Sequence, residues 1–292
     1  MSRRPESHRA SPDLDHTPRD HSARENNQIT RREIAEIEER SSPRTPVIYE
    51  VVRRLGEEEM LRPVTSLWWS GLAAGLSISF SLLAEAILQQ HIPNATWRPL
   101  VTGLGYSLGF VMVVLSRQQL FTENTITVVL PVMAHWSMSN LGRAARMWGV
   151  VLIANLAGTL FAAAFCSFTP VIPAELKAEM LHISQQTFQY AWLEMLFKGI
   201  AAGFLIAAMV WLLPSAEGGQ LGIIITMTYL IAVGRFMHIV AGSMDTFMLL
   251  LNGMAEPASV LSGFFVPVLV GNVIGGTALF ALLAYAQVMK EI

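Results

Sequence analysis

The chain has 292 residues, of which 52% are hydrophobic and only 14% are charged. The charge is concentrated at one end, because twelve of the twenty basic and thirteen of the twenty-two acidic residues precede Pro63. The rest is too poor in charge for an ordinary soluble domain, in which about a quarter of the residues are charged, and the single cysteine, Cys166, excludes an intrachain disulfide.

The first 44 residues are mainly Arg, Ser, Asp, Glu, His and Pro, and they lack the apolar stretch of a secretory signal. A segment of this composition cannot bury enough apolar surface to offset the conformational entropy lost on folding. We therefore expect residues 1–44 to be a disordered tail on the cytoplasmic side of a membrane.

A short amphipathic segment follows at residues 45–62. Thr45 and Pro46 are typical of a helix start, and apolar residues then recur at helical spacing as far as Gly56, which is placed to end the helix. Charged residues beside the short apolar stripe favour a helix that lies on the membrane surface. A helix packed against the rest of the same protein is an equally good interpretation, and the two are compatible.

Six apolar segments come next, and each is long enough to cross a hydrocarbon core that needs about 20 helical residues. They are residues 67–88, 99–130, 148–168, 192–213, 221–251 and 260–288. The second and fifth are too long for one simple span, and polar residues interrupt them at positions 116–119 and 235–245. Interruptions at matching places in two halves predict broken helices on either side of a transport site.

Basic residues in short loops indicate the orientation of membrane proteins. With the arginine-rich tail in the cytoplasm, six spans return the C-terminus to the same side, and Arg143 and Arg146 also face inward. We therefore expect a multi-pass protein of the inner (plasma) membrane, in contact with lipid and with both termini cytoplasmic.

Three short matches relate the two halves of the membrane region. Residues 70–75 match 198–203, residues 122–125 match 244–247, and residues 155–158 match 272–275, in the same order and at similar offsets. The predicted fold is therefore an all-α membrane protein with six transmembrane helices in two inverted three-helix repeats, of which the second and fifth helices are broken. Close helix packing alone also explains the repeated glycines, and both interpretations can hold.

The second apolar segment resembles a known family. Residues 105–115, continuing to the Leu-Phe-Thr sequence at 120–122, are similar to the glycine-rich helix and the "LFT" turn of the formate/nitrite transporter family. Residues 56–59, residues 155–158 and the region of His238 fit the same pattern, so the resemblance covers about residues 49–287. It implies an aquaporin-like fold, a homopentamer with one pore in each protomer, and passage of small monovalent anions or their conjugate acids.

The resemblance also implies which residues line the pore. The loop that breaks the second span and narrows the pore is formed by Leu120, Phe121 and Thr122. His238 is then the central histidine, Asn272 is the polar residue of the sixth span, and two aromatic rings add to the apolar constriction: Tyr106 and Phe110.

Arg117 and Glu123 near the first break depart from the family pattern, and two further charged residues lie near the second break, Arg235 and Asp245. Charged side chains inside a membrane usually pair or line a pathway. We interpret these as ion pairs that hold the breaks, in which Glu123 and Asp245 occupy equivalent places. The added charges at Arg117 and Glu123 leave open a pore of different selectivity.

The remaining polar residues allow two interpretations each. His238 either faces the pore, where a proton on its imidazole would attract an anion, or bonds to backbone within the break. Asn155 and Asn272 either brace the broken helices or line the path. Lys198 either pairs with Glu194 or extends to the membrane interface.

Two further positions carry specific expectations. Thr122 is a candidate N-cap of the helix after the first break, so its hydroxyl would bond to backbone. Glu85 lies near the end of the first span and is expected at the membrane interface.

The sequence therefore favours a channel or transporter for small monovalent anions or weak acids, such as formate or nitrite, rather than an enzyme. The alternatives are a channel for a neutral or other small solute and a non-conducting membrane scaffold or sensor that works through its tail. No cofactor motif, metal-spaced Cys/His cluster or structured basic surface for nucleic acid is present in the sequence.

Overall fold

The computed structural model describes residues 43–216 and 218–291, together with Thr30 and Glu33. The predicted tail, residues 1–44, therefore lies almost entirely outside the described residues. All regular secondary structure in the described part is helical. Five of the helices found there are long and apolar enough to cross a membrane, and two further apolar helices are shorter.

The helices are numbered here in chain order. Those that fall in the predicted apolar segments agree with them to within about ten residues, whereas the helix Ala174–Thr187 was not predicted. The helices are α1 Thr45–Leu61, α2 Val64–His91, α3 Arg98–Leu115, α4 Phe121–Thr127, α5 Val129–Ala134, α6 Met138–Phe168, α7 Ala174–Thr187, α8 Trp192–Leu212, α9 Gln220–Val233, α10 Ile239–Leu251 and α11 Pro257–Val288. Helix α11 contains two π-helical stretches, Leu261–Phe265 and Ile274–Ala281.

Helix α1 differs from its prediction at both ends. Arg44, not Thr45, is the N-cap residue, and its side chain makes no capping hydrogen bond. The helix continues through Gly56 to Leu61, because Gly56 serves close packing and not termination. A Cβ atom at Gly56 would lie only 1.8 Å from the carbonyl oxygen of Thr127, so no larger residue fits there without moving the backbone.

The two faces of α1 have different surroundings. Tyr49 and Val52 are buried in a cluster that also contains Ile126 and Leu130, so this face packs against the rest of the protein. Apolar residues on the other face are exposed, among them Val47, Val51 and Leu55. The packed-helix interpretation is therefore confirmed for one face, and the exposed apolar face leaves the predicted membrane-surface position in place as a prediction.

Two pairs of long helices approach each other backbone to backbone at glycines. A Cβ atom at Gly75 of α2 would lie 2.2 Å from the carbonyl oxygen of Asn155 in α6, and one at Gly203 of α8 would lie 2.3 Å from that of Asn272 in α11. Small residues permit such contacts between membrane helices. The repeated glycines thus do serve close packing, in the same way in both halves.

Both of the expected helix breaks are present. Helix α3 ends at Leu115 and α4 begins at Phe121, whereas α9 ends at Val233 and α10 begins at Ile239. The second break is shorter than predicted, since Asp245 lies within α10. The inverted relation of the two halves stays a prediction, although the two breaks share the local geometry described below.

Candidate functional site

An asparagine side chain braces the first break. The Asn155 Oδ1 atom accepts a hydrogen bond from the Phe121 N–H at 2.9 Å. Its Nδ2 atom donates to the carbonyl oxygens of Gly71 at 2.8 Å and Gln119 at 2.9 Å. The bonds to Phe121 and Gln119 satisfy backbone groups that the interruption leaves without helical partners, and the bond to Gly71 ties the break to α2.

A second asparagine does the same at the second break. The Asn272 Oδ1 atom accepts from the Ile239 N–H at 2.8 Å, and Nδ2 donates to the carbonyl oxygens of Gly199 at 2.9 Å and Met237 at 2.8 Å. Both asparagines are fully buried. Of the two roles left open by the sequence, the structure therefore supports the brace.

The matched braces define which residues of the two breaks correspond. Phe121 corresponds to Ile239, and the same register pairs Arg117 with Arg235, whose φ angles of 52° and 50° are both in the left-handed region. Glu123 then corresponds to Ala241 and not to Asp245, so the predicted equivalence of the two acids is wrong. The short match between 122–125 and 244–247 is out of register.

The register also pairs Leu120 with His238, but the two side chains make different contacts. Each is the N-cap residue of the helix that follows, but only His238 caps with its side chain, because its Nδ1 atom accepts from the Ala241 N–H at 3.1 Å. The Nε2 atom lies 2.6 Å from Thr122 Oγ1. The prediction that Thr122 is an N-cap is therefore wrong. Its hydroxyl instead contacts the histidine of the other half.

These contacts fix the tautomer of a neutral His238. A ring nitrogen that accepts a hydrogen bond carries no hydrogen, so the hydrogen lies on Nε2 and is donated to Thr122 Oγ1. The hydroxyl hydrogen of Thr122 remains available for another acceptor. The pair therefore presents one free donor at the point where the two breaks meet.

Apolar rings surround this pair. The Phe110 and His238 rings meet edge to face with centroids 5.0 Å apart, and Tyr106 lies 5.3 Å from Phe110. Phe110 and Leu120 are fully buried, and Phe121 is 2% exposed. These three belong to the main hydrophobic core, so the predicted apolar constriction consists of tightly packed residues.

A cavity of about 140 Å³ reaches the histidine from one side. Tyr106 and His238 line it, together with residues from α2, α7, α9 and α10. Thr122 is fully buried behind His238. The cavity thus ends at the Thr122–His238 pair.

Two carboxyl groups and one guanidinium line the same cavity. These are Glu85, Asp245 and Arg235. Glu85 therefore lines a cavity, which the sequence did not indicate, and its position at the membrane interface stays a prediction. Asp245 Oδ1 accepts a hydrogen bond from Ser184 Oγ at 3.1 Å, and no salt bridge joins Asp245 to any arginine in the described part of the chain.

The predicted ion pair of the first break is absent as well. Glu123 lies in the first turn of α4, and its Oε1 atom is buried without a hydrogen-bond partner among the described residues. Arg117 is exposed at the tip of the break. The break is held by the backbone bonds of Asn155 instead, so neither break depends on an ion pair.

Glu59 of α1 makes polar contacts to the first break, and the sequence did not indicate these contacts. Its carboxylate accepts hydrogen bonds from Gln119 Nε2 at 3.0 Å, Thr127 Oγ1 at 2.8 Å and Asn124 Nδ2 at 3.4 Å. Burial raises the pKa of Glu59, and the hydrogen bonds from Gln119 and Thr127 offset only part of this effect. Helix α1 is thereby linked to the loop that carries Leu120.

The Lys198 side chain contacts residues outside the two breaks. Its Nζ atom is 3.8 Å from Glu194 Oε1 and 4.2 Å from the centre of the Tyr190 ring. The predicted pairing with Glu194 is confirmed. Tyr190 itself lines the cavity, so the ammonium group lies behind one wall of it.

Comparison with known proteins identifies the family. A sequence model of the formate/nitrite transporter family matches residues 46–286 of the chain. The chain belongs to the formate/nitrite transporter family. This confirms the resemblance inferred from the Leu-Phe-Thr sequence and from the region of His238.

Individual relatives within the formate/nitrite transporter family agree with this result. The inner membrane protein YfdC of Escherichia coli K12 is 41% identical over 254 residues, which cover 87% of this chain and 82% of that protein. The formate channel FocA of Haemophilus influenzae is 30% identical over 161 residues, which cover 53% of this chain and 55% of that protein.

Solved structures show the same fold. A pentameric formate channel with formate bound superposes with a TM-score of 0.64 at 20% identity, covering 78% of this chain and 98% of that one. A structure described as an FNT family ion channel gives a TM-score of 0.69 at 20% identity, covering 83% and 98%. At this identity the likeness concerns the fold alone.

Proposed function

We propose that the chain forms a pore for small monovalent anions or their weak acids, with formate and nitrite as the reference solutes. Membership in a transporter family supports transport as the activity. The names of relatives supply the solute class, since one is a formate channel and another, the Escherichia coli nitrite transporter NirC, is 26% identical over 223 residues.

The observation that carries the proposal is the polar pair at the end of the cavity. The cavity leads to His238, and the 2.6 Å contact between His238 and Thr122 joins the two breaks in the middle of an otherwise apolar core. Polar groups are costly inside a membrane and usually mark a pathway. A solute oxygen that replaces the contact would accept the hydroxyl hydrogen of Thr122.

The constriction excludes hydrated ions in this proposal. Packed rings and aliphatic side chains leave no room for a hydration shell, so a solute has to pass with few waters and few partners. Burying an unpaired charge in an apolar medium is far more costly than burying a neutral polar group. Small weak acids meet this condition better than the anions of strong acids, because they can shed their charge by taking up a proton.

The assembly is proposed to be a homopentamer with one pore in each protomer, in the inner membrane and with both termini cytoplasmic. The solved pentameric formate channel of the same fold and the inner-membrane relative YfdC support this arrangement. In this orientation the cavity at His238 opens to the outer side. Large apolar residues exposed on α6 fit a surface in contact with lipid or a neighbouring protomer, among them Ile153 and Phe161.

The test is solute flux into liposomes that contain the purified protein. Formate and nitrite influx is expected to exceed that of empty liposomes by more than about tenfold. Thr122→Val should lower the flux about tenfold or more, because it removes the free donor and leaves Nε2 of His238 unpaired, at a cost of about 1–3 kcal/mol. Thr122→Ser keeps the hydroxyl and should retain most of the flux. Influx equal to that of empty liposomes for both solutes would contradict the proposal.

A second candidate, a pore for a neutral or otherwise different small solute, is favoured by one observation. The unpartnered Glu123 carboxyl lies one residue from Thr122, where a negative charge would repel an anion. Glu123→Gly discriminates between the candidates. A large change in the order of solute preference supports the second candidate, and an unchanged order supports the first.

A further inference from the structure

The cavity next to His238 holds more ionisable groups than a simple entrance requires. Those that line it are Glu85, Tyr106, Tyr190, Arg235, His238 and Asp245. Two of the six are carboxyl groups and one is a guanidinium, and no salt bridge pairs these three with each other among the described residues. An anion that enters the cavity therefore meets one positive group and two acids.

His238 is poorly placed to give a proton to such an anion. Its Nδ1 atom accepts from the Ala241 N–H, and its Nε2 atom contacts Thr122 at 2.6 Å. In this arrangement the neutral ring has no free N–H, and a second proton on Nδ1 would break the cap of α10. A proton donor for the solute has to come from another group in the cavity.

Glu85 and Asp245 are available for that role. Ser184 occupies one oxygen of Asp245, which leaves Oδ2 for other partners. No hydrogen bond from a described residue is found for the Glu85 carboxyl, which lines the cavity with Asp245. Two like charges in one narrow cavity repel each other, and this repulsion is relieved when one carboxyl takes up a proton.

We propose that Glu85 and Asp245 form a proton-donating site that converts the entering anion into its neutral acid before it reaches the Thr122–His238 constriction. The O–H bond of one carboxyl breaks and an O–H bond forms on the solute. The carboxylate left behind takes up a proton from the bulk solution on the open side of the cavity. One proton therefore crosses with each anion, and Arg235 attracts the anion into the cavity before the transfer.

This inference rests on the proposed function and deepens it, because it names the side chains that give the solute its proton. The physical reason is the cost of a charge in the constriction, which the transfer removes at the cavity end. Nitrate and nitrite provide a direct comparison in the unmodified protein. Both are small nitrogen oxyanions, but only nitrite is the anion of a weak acid. Nitrite should therefore enter at least about tenfold faster than nitrate.

The decisive experiment measures formate influx between pH 5 and pH 8 in liposomes that contain the full chain, with a trapped pH dye. For the double variant Glu85→Gln with Asp245→Asn, influx should fall at least about tenfold at pH 8 and approach the wild-type rate at pH 5. At low pH the variant can use formic acid from bulk water, because the concentration of formic acid rises about tenfold for each unit by which the pH falls. Glu256→Gln, an exposed carboxyl outside the cavity, should leave the profile unchanged.

Three results would contradict the proposed proton-donating site. They are an unchanged profile in the double variant, an equal fractional loss at every pH, and nitrate influx as fast as nitrite influx in the wild type. If the double variant is not recovered in folded form, Glu85→Gln and Asp245→Asn singly are judged by the same criteria. Wild-type protein that passes neither formate nor nitrite would instead overturn the proposed function itself, so the two failures are distinguishable.

Discussion

At the scale of single residues, one position separates the two halves functionally. Leu120 and His238 hold the same place in their breaks, before a helix whose first N–H is bound by an asparagine. The leucine contributes only to the apolar core, whereas the histidine caps its helix and reaches across to Thr122. The shared backbone geometry therefore supplies the scaffold, and a single side chain supplies the polar group at its centre.

Glu59 is the residue for which the structure predicts a pH dependence of stability. Burial raises its pKa in the folded protein above the unfolded value of about 4.3. Folding then favours the protonated form, so the contribution of Glu59 to stability is fully present below the unfolded pKa and is lost as the pH rises through the folded pKa.

Glu59→Gln should therefore make the protein less sensitive to pH. As the pH rises from 4 to 7, the Tm of the variant is expected to rise relative to the Tm of the wild type. Glu58→Gln, at an exposed position of the same helix, is the matched control. Thermal unfolding in detergent measures both, and a difference that does not vary with pH would contradict the account.

The sequence was informative about some residues and not about others, for a physical reason. His238 could be identified because polar residues in a long apolar segment are unusual, and Thr122 because the Leu-Phe-Thr sequence resembles that of the family. Glu85 and Glu59 lie near the ends of apolar segments, where charge is ordinary, and only the packing of α2 and α1 shows that they face a cavity and a break. The ion pairs were wrong because sequence spacing does not give the direction of a side chain.

At the scale of helices, the breaks are stable because each is clamped by a neighbouring helix. The asparagine of α6 or α11 bonds to the break, and it also bonds to a carbonyl of the helix behind it, Gly71 in α2 or Gly199 in α8. The nearby glycines bring these helices close enough for the bond to form. Close packing and support of the break are thus parts of one arrangement.

Gly75→Ala tests this arrangement. Its Cβ atom would lie 2.2 Å from the carbonyl oxygen of Asn155, so α2 and α6 must separate. We expect a loss of about 1–3 kcal/mol in stability, and a fall in formate flux because the brace of the first break moves with α6. Gly149→Ala is the control, since no atom lies within 4 Å of its added Cβ. Equal Tm values and equal flux for the two variants would contradict the argument.

The sequence predicted the existence of both breaks but not the extent of the second. Polar residues from Arg235 to Asp245 looked like one interruption, because composition alone does not distinguish a loop from a helix that carries an acid toward a cavity. The side chain of His238 caps α10, so the helix starts at Ile239, six residues before Asp245. The predicted end of α1 at Gly56 was wrong for a related reason. In a sequence, a glycine needed for close helix packing looks the same as a glycine that ends a helix.

At the scale of the whole molecule, the compact unit begins at Pro43 and includes α1. Helix α1 contributes Tyr49 and Val52 to a shared core, and through Glu59 it bonds to the first break. The likeness to solved formate channels likewise extends over most of this region. The membrane domain is therefore expected to need α1 but not the residues that precede Pro43.

Two truncations test this division. Removal of residues 1–42 should leave the oligomer and the formate flux within about twofold of the full chain. Removal of residues 1–61 should abolish both the oligomer and the flux. It exposes the apolar partners of α1, at a cost of about 25 cal/mol for each Å² of apolar surface returned to water. It also leaves the hydrogen-bond donors of Gln119 and Thr127 without their acceptor, Glu59. Size-exclusion chromatography separates loss of folding from loss of conduction. A truncation of residues 1–42 that folds normally but loses the formate flux would contradict this division.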